Sequence, residues 1–203
     1  MLSTPKPRLT LASGSQIRRL LLENAGFDID AIPAMVDETL LRAAMEAENA
    51  PPRDIADGLA EHKARKIAAK HGQSPVLGCD QVLACGGVLF SKPESPEALR
   101  EDLAKLSGQT HQLFSAAVLY ENGEPVWRHV GIARLTMRSL SAGFIEDYVA
   151  RNWDSIRHSV GGYKLEEEGV RLFTSIQGDY FTILGLPLLD LINFLTLRGD
   201  LPT

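Results

Sequence analysis

The sequence predicts an α/β fold, on three observations. Short apolar runs of strand length alternate with segments that carry an apolar stripe at helical period. Glycines stand where those helical stripes run out. Glycine-containing turns join neighbouring strand-like runs into hairpins.

The elements follow in order. Residues 9–11 read as a first strand that runs straight into Ser13-Gly14-Ser15. From Gln16, the apolar residues Ile17, Leu20, Leu21 and Ala25 mark a helix that stops at Gly26. Residues 27–32 form a second strand, and Val36-Asp37-Glu38-Thr39 a loop. Residues 53–71 make a long helix ending at Gly72. Residues 76–89 hold a strand pair turning at Cys85-Gly86-Gly87, and Ser91-Lys92-Pro93 leads into a helix over 95–106 closed by Gly108. Residues 110–120 and 125–137 are strands around Glu121-Asn122-Gly123. Ser141 caps a helix to about residue 152, and residues 153–169 are irregular. A strand over 170–176 and a helix over 186–197, with Pro187 in its first turn, complete the chain. No repeat or linker divides it, so residues 1–203 are expected to form a single domain.

Composition narrows the function. The 203 residues are 44% hydrophobic and 23% charged, ordinary for a globular protein able to bury a core. A net charge of -5 argues against a nucleic-acid partner, whose phosphates select a basic face. Aromatics make up 6% and do not interleave with basic residues, so a base-stacking platform is not expected. No apolar run reaches the roughly 20 residues of a membrane span, and no signal-peptide core opens the chain, which makes the cytoplasm the expected location. Cys79 and Cys85 lack zinc-ligand spacing and read as reduced core residues. The five histidines show no metal spacing, and neither a Walker A loop, a GxGxxG fingerprint nor a GxSxG elbow is present.

Three features carry chemistry. Ser13-Gly14-Ser15 at a strand-to-helix turn offers free N–H groups to an anion, and Arg18 and Arg19 follow within a turn. The alternative there is an N-cap serine with two solvated arginines. Asp80, beside Gln81, interrupts an apolar run that reads as buried on both faces; an ionised carboxylate in it needs a cation or a salt bridge. Lys63 falls inside the apolar stripe of its helix at about 100° per residue, so it is either snorkelling or aimed at a charged site. Strand alternation sends Asp80 and Gln81 to opposite faces, so a shared pocket requires the strand to break near them. The acids Asp37, Glu38, Glu166, Glu167 and Glu168 are the third feature; their oxygens suit Mg²⁺ or Mn²⁺, although most such runs are merely solvated loops.

In sequence order, Leu11-Ala12-Ser13-Gly14-Ser15, Val36-Asp37-Glu38-Thr39, Lys63-Ala64, Gly78-Cys79-Asp80-Gln81-Val82, Ser91-Lys92-Pro93, Leu106-Ser107-Gly108-Gln109-Thr110-His111, Gly178-Asp179-Tyr180 and Gly185-Leu186-Pro187 together resemble the Maf family of nucleotide pyrophosphatases. The resemblance runs from Leu9 to about Leu197. It implies a mixed twisted sheet flanked by helices, two lobes with a central cleft, and hydrolysis of a nucleoside triphosphate to monophosphate and pyrophosphate with a divalent cation, Mg²⁺ or Mn²⁺. It puts the proton acceptor on Asp80, phosphate contacts on Ser13, Arg18, Lys63 and Lys92, and metal contacts on Glu38 and Asp80. Substrate choice falls on Ile17, Gln81 and Glu166. Members acting on thymidine and uridine triphosphates tend to carry Arg, Thr and Gln there. Members resembling 7-methylguanosine triphosphate pyrophosphatases carry an apolar aromatic, Gln and Glu. Gln81 and Glu166 match the second set, implying a modified purine; Ile17 departs from both and cannot stack on a base. The alternatives are a dTTP/UTP-preferring enzyme and a regulator of cell division that binds nucleotide without turnover. Family members are often dimers, so a homodimer is implied.

Overall fold

A computed structural model describes residues 6–71 and 74–201; the helix stop expected at Gly72 lies outside the described residues. Strand β1 (Arg8–Ala12) buries Leu9, Leu11 and Ala12 and leads into α1 (Gln16–Asn24), whose N-cap is Ser15. Strand β2 (Asp28–Ala31) pairs in parallel with β1, setting Leu9 opposite Ile29. The expected loop at 36–39 holds for Val36 and Asp37, but Glu38 and Thr39 open a helix, α2 (Glu38–Ala47). Asp37 caps it, its carboxylate accepting the Leu40 amide at 2.9 Å, which is what a short acidic side chain does at a helix entry. Helix α3 (Pro52–His71) buries Ile55, Ala56, Leu59, Ala60, Ala64 and Ile67.

Strand β3 (Val76–Cys85) turns into β4 (Val88–Phe90), and β5 (Thr110–Glu121) into β6 (Glu124–Met137). Both hairpins turn on residues with positive φ: Gly86 (58°) and Gly87 (82°), then Asn122 (52°) and Gly123 (86°). That is the backbone a two-residue type I′ turn demands, and the sequence supplies Gly-Gly and Asn-Gly for it. Helix α4 (Pro96–Leu106) is capped by Ser95 and α5 (Ala142–Ile156) by Ser141, the latter running a turn beyond the expected end. Residues 170–172 lie in a 3₁₀ turn, so the strand expected from 170 begins later, as β7 (Phe173–Gln177). A single turn, α6 (Tyr180–Ile183), was not foreseen; α7 (Leu188–Arg198) closes the fold with Pro187 at its N-cap.

The strands form one seven-stranded mixed sheet in the order β2-β1-β3-β5-β6-β7, with β4 also pairing β3. The β1–β3 pair is parallel, the β3–β4 and β6–β7 pairs antiparallel. The chain divides into two compact units: Met1–Asp80 with Ser115–Gly131 and Gly185–Thr203, and Gln81–Phe114 with Ile132–Leu184. In the second, Leu83, Leu99, Leu103, Leu113, Leu135 and Tyr148 form the centre of the core. No helix among the described residues is long and apolar enough to cross a membrane.

Candidate active site

In the first unit the β1–α1 turn is built around Arg18. Its guanidinium is buried, with 9% of the residue exposed. Nε donates to the Gly185 carbonyl at 2.7 Å, and Nη1 to the Cys79 carbonyl at 3.0 Å and to Ser13 Oγ at 3.3 Å. Ser13 Oγ also accepts the Ser15 amide at 3.2 Å. Gly185 leaves room for this: with φ at 95°, a Cβ there would stand 3.1 Å from Arg18 Nε and Nη2. Arg19, by contrast, is exposed and pairs with Glu23. So the reading of two solvated arginines fails for Arg18. No carboxylate pairs with Arg18 among the described residues, and a buried cation so placed favours an anion. The start of α1 adds its free amides to the same turn. Ile17 is half-buried on α1.

The second group centres on Lys63, which is aimed at charge and not snorkelling. Its Nζ lies 2.6 Å from Asp80 Oδ1 and 2.8 Å from Glu38 Oε1. Lys63 and Asp80 side chains are 9% and 8% exposed, while that of Glu38 is 43% exposed. Gly78 brings α3 close enough to reach Asp80. A Cβ there would lie 2.1 Å from the Ala60 carbonyl oxygen and 2.6 Å from the Ala64 nitrogen. Only a glycine on the strand, facing alanines on the helix, permits that approach. Among the described residues nothing hydrogen-bonds Asp80 Oδ2. Nearby, burial pushes the Cys79 thiol up to about 11 despite Arg18 and Lys63, so it stays protonated and inert.

Glu38 and Asp80 fit a hard divalent cation. Both are carboxylates, and they converge on one ammonium nitrogen. No group of three His, Cys, Asp or Glu able to hold an ion is present among the described residues. Two carboxylates completed by phosphate oxygens is the usual donor set for Mg²⁺.

The remaining expected residues lie in the second unit. Strand β3 runs unbroken through Asp80 and Gln81, so the expected break is absent. Alternation holds: Asp80 meets α3, and the Gln81 amide donates to the carbonyls of Ile183 at 3.0 Å and Thr182 at 3.3 Å, at the end of α6. Gln81 is thereby anchored to backbone. Lys92 is exposed in the loop after β4, and Lys63 is the ion-pair partner of Asp80 among the described residues. Glu166 is exposed in the turn before the 3₁₀ segment Glu168–Leu172.

The buried lysine–aspartate pair with its second carboxylate, and the buried arginine bonded to the Cys79 carbonyl beside it, make up one candidate site in the first unit. The chain belongs to the Maf family: residues 8–197 match the family described as Maf-like protein. It is 63% identical over 195 residues to the nucleoside triphosphate pyrophosphatase of Ruegeria pomeroyi, covering 96% of this chain and 98% of that one. With the nucleoside triphosphate pyrophosphatase of Roseobacter denitrificans it shares 59% over 199 residues, covering 98% and 99%. With the 7-methyl-GTP pyrophosphatase of Mesorhizobium japonicum it shares 48% over 192 residues, covering 95% and 96%.

Proposed function

We propose that this chain is a nucleoside triphosphate pyrophosphatase acting on a modified purine nucleotide of the 7-methylguanosine kind. Water attacks the α-phosphorus, the bond from that phosphorus to the bridging oxygen breaks, and pyrophosphate leaves with the electron pair. Asp80 takes the proton of the attacking water. Lys63 holds that carboxylate by its Oδ1, which leaves Oδ2 to accept the proton. Arg18, Ser13 and the amides opening α1 bind phosphate oxygens, as does Lys92. Glu38 and Asp80 would hold Mg²⁺ or Mn²⁺, whose positive charge offsets that of the triphosphate. The observation that carries the proposal is the buried Lys63–Asp80 pair joined by Glu38.

The purine preference rests on Glu166, a carboxylate able to accept hydrogen bonds from a guanine edge and to favour a cationic ring, and on likeness to a relative named for 7-methyl-GTP. A homodimer in the cytoplasm is the assembly we expect. The experiment is a nucleotide panel with Mg²⁺ or Mn²⁺, reading monophosphate and pyrophosphate together. Both products in equal amounts, fastest from 7-methyl-GTP, support the proposal. Nucleotide binding without pyrophosphate under either metal would replace it with a non-catalytic regulator, and a preference for UTP or dTTP would overturn the purine assignment.

A further inference from the structure

Three consecutive acids lie in the turn after α5, and their surroundings differ sharply. Glu167 Oε2 accepts the Ser155 hydroxyl at 2.6 Å, and its Oε1 accepts Lys164 Nζ at 3.0 Å. Lys164 Nζ donates as well to Ser155 Oγ at 2.7 Å. Glu168 takes three donors: Arg151 Nη2 at 2.9 Å and Arg171 Nη1 at 2.8 Å on Oε1, and Asn152 Nδ2 at 2.8 Å on Oε2. Glu166 makes no hydrogen bond or ion pair among the described residues.

The turn is closed from below too. A Cβ on Gly169 would lie 2.5 Å from the Lys164 carbonyl oxygen and 2.7 Å from the Lys164 nitrogen, so the backbone folds onto itself there. Backbone bonds run from the Glu167 amide to the Lys164 carbonyl and from the Val170 amide to the Glu167 carbonyl, each 3.2 Å. Arg151, Asn152 and Ser155 all project from α5, whose Tyr148, Val149 and Ile156 are buried in the core. Exposed ion pairs taken singly contribute little. Here several converge on two adjacent side chains and tie them to one rigid helix, which restricts the residue beside them to its own side-chain rotations.

We propose that Glu168, assisted by Glu167, is a positioning residue that fixes the turn so that the carboxylate of Glu166 is presented to the base of the substrate. This rests on the reading of Glu166 as a specificity residue. Glu168 itself touches no substrate and acts through its neighbour. The three consecutive acids thus divide the work: one recognises, and two hold the backbone that carries it.

The test is a double-mutant cycle on the full chain: wild type, Glu166→Gln, Glu168→Gln and the pair, with kcat and KM measured for 7-methyl-GTP, GTP and UTP. Expected for Glu168→Gln is a rise in KM for 7-methyl-GTP of about threefold to tenfold with kcat within about twofold, and a matching fall in its preference over UTP. In the Glu166→Gln background the same substitution changes that preference no further. Arg151→Ala, which removes one donor from α5 and leaves the turn's own residues intact, shifts the preference in the same direction and covers the case of a Glu168 variant that does not fold. An equal effect of Glu168→Gln in both backgrounds, or no effect of either variant on the preference, overturns the positioning role. If Glu166→Gln alone leaves the substrate ranking unchanged, the reading of Glu166 fails first, and that result is distinct from the other two.

Discussion

Lys63 Nζ stands 2.6 Å from Asp80 Oδ1, with both side chains more than nine-tenths buried. Taking two charges from water is costly, and their attraction repays it only while both are present. Removing one partner leaves the other charge stranded. Lys63→Met should therefore destabilise the protein by about 3–5 kcal/mol, measured by denaturant unfolding. Lys63→Met combined with Asp80→Leu should recover most of that loss while remaining inactive. A single variant as stable as wild type would show that the pair is not closed in solution.

Glu38 shares the same ammonium but is 43% exposed, so its half of the arrangement should contribute less than about 1 kcal/mol to folding. Its expected role is in metal binding. Glu38→Gln should unfold at nearly the wild-type denaturant concentration, yet need several times more Mg²⁺ or Mn²⁺ for half-maximal activity. An unchanged metal titration would remove Glu38 from the ion's ligands.

Gly78→Ala probes the packing that lets Lys63 reach Asp80. The new methyl would meet helix backbone at 2.1 Å, which no side-chain rotation relieves. α3 must then move away from β3, at a cost of about 1–3 kcal/mol or more. Loss of activity should exceed what the drop in stability explains, because the displaced lysine releases Asp80, the carboxylate proposed to take the proton of the water. Full activity in a folded Gly78→Ala protein would show that the close approach is not needed.

His111 is a buried base apart from this chemistry. It is fully buried, its Nε2 is 2.7 Å from the Tyr163 hydroxyl, and Nδ1 has no hydrogen-bond partner among the described residues. Burial lowers its pKa from 6.5 to about 4. The fold thus holds the neutral ring, and the unfolded chain takes up the proton first. Stability from this group is full above pH 6.5 and is lost as pH falls from 6.5 to about 4. The loss is on the order of 3 kcal/mol. Unfolding free energies at pH 7 and 4.5 should differ less in His111→Gln than in wild type; an equal pH dependence would assign the loss to other groups.

Much of this was legible in the sequence, for local reasons. Asn122-Gly123 and Gly86-Gly87 announce their hairpins because only such residues take positive φ cheaply. Lys63 in an apolar stripe and Asp80 in an apolar strand were each anomalous, and the structure makes them partners. What escaped notice depends on contacts distant in the chain. The role of Gly78 appears only once Ala60 and Ala64 lie over it, and the burial of Arg18 depends on carbonyls at Cys79 and Gly185. The local signal for the helix at Glu38 is the Asp37 cap ahead of Leu40, a residue type equally at home in a loop. The break expected at Asp80 rested on one pocket for two adjacent side chains; the strand continues because Gln81 is bonded to α6 instead.

Asp80 is the residue proposed to activate water at a triphosphate. Pyrophosphate release by Asp80→Asn, compared with wild type at saturating nucleotide and Mg²⁺, tests that role most directly. Asparagine keeps the shape and cannot accept the proton, so kcat should fall by about 10²–10⁴ while the folded protein still binds nucleotide. An Asp80→Asn enzyme that releases pyrophosphate within a few fold of the wild-type rate would contradict the account.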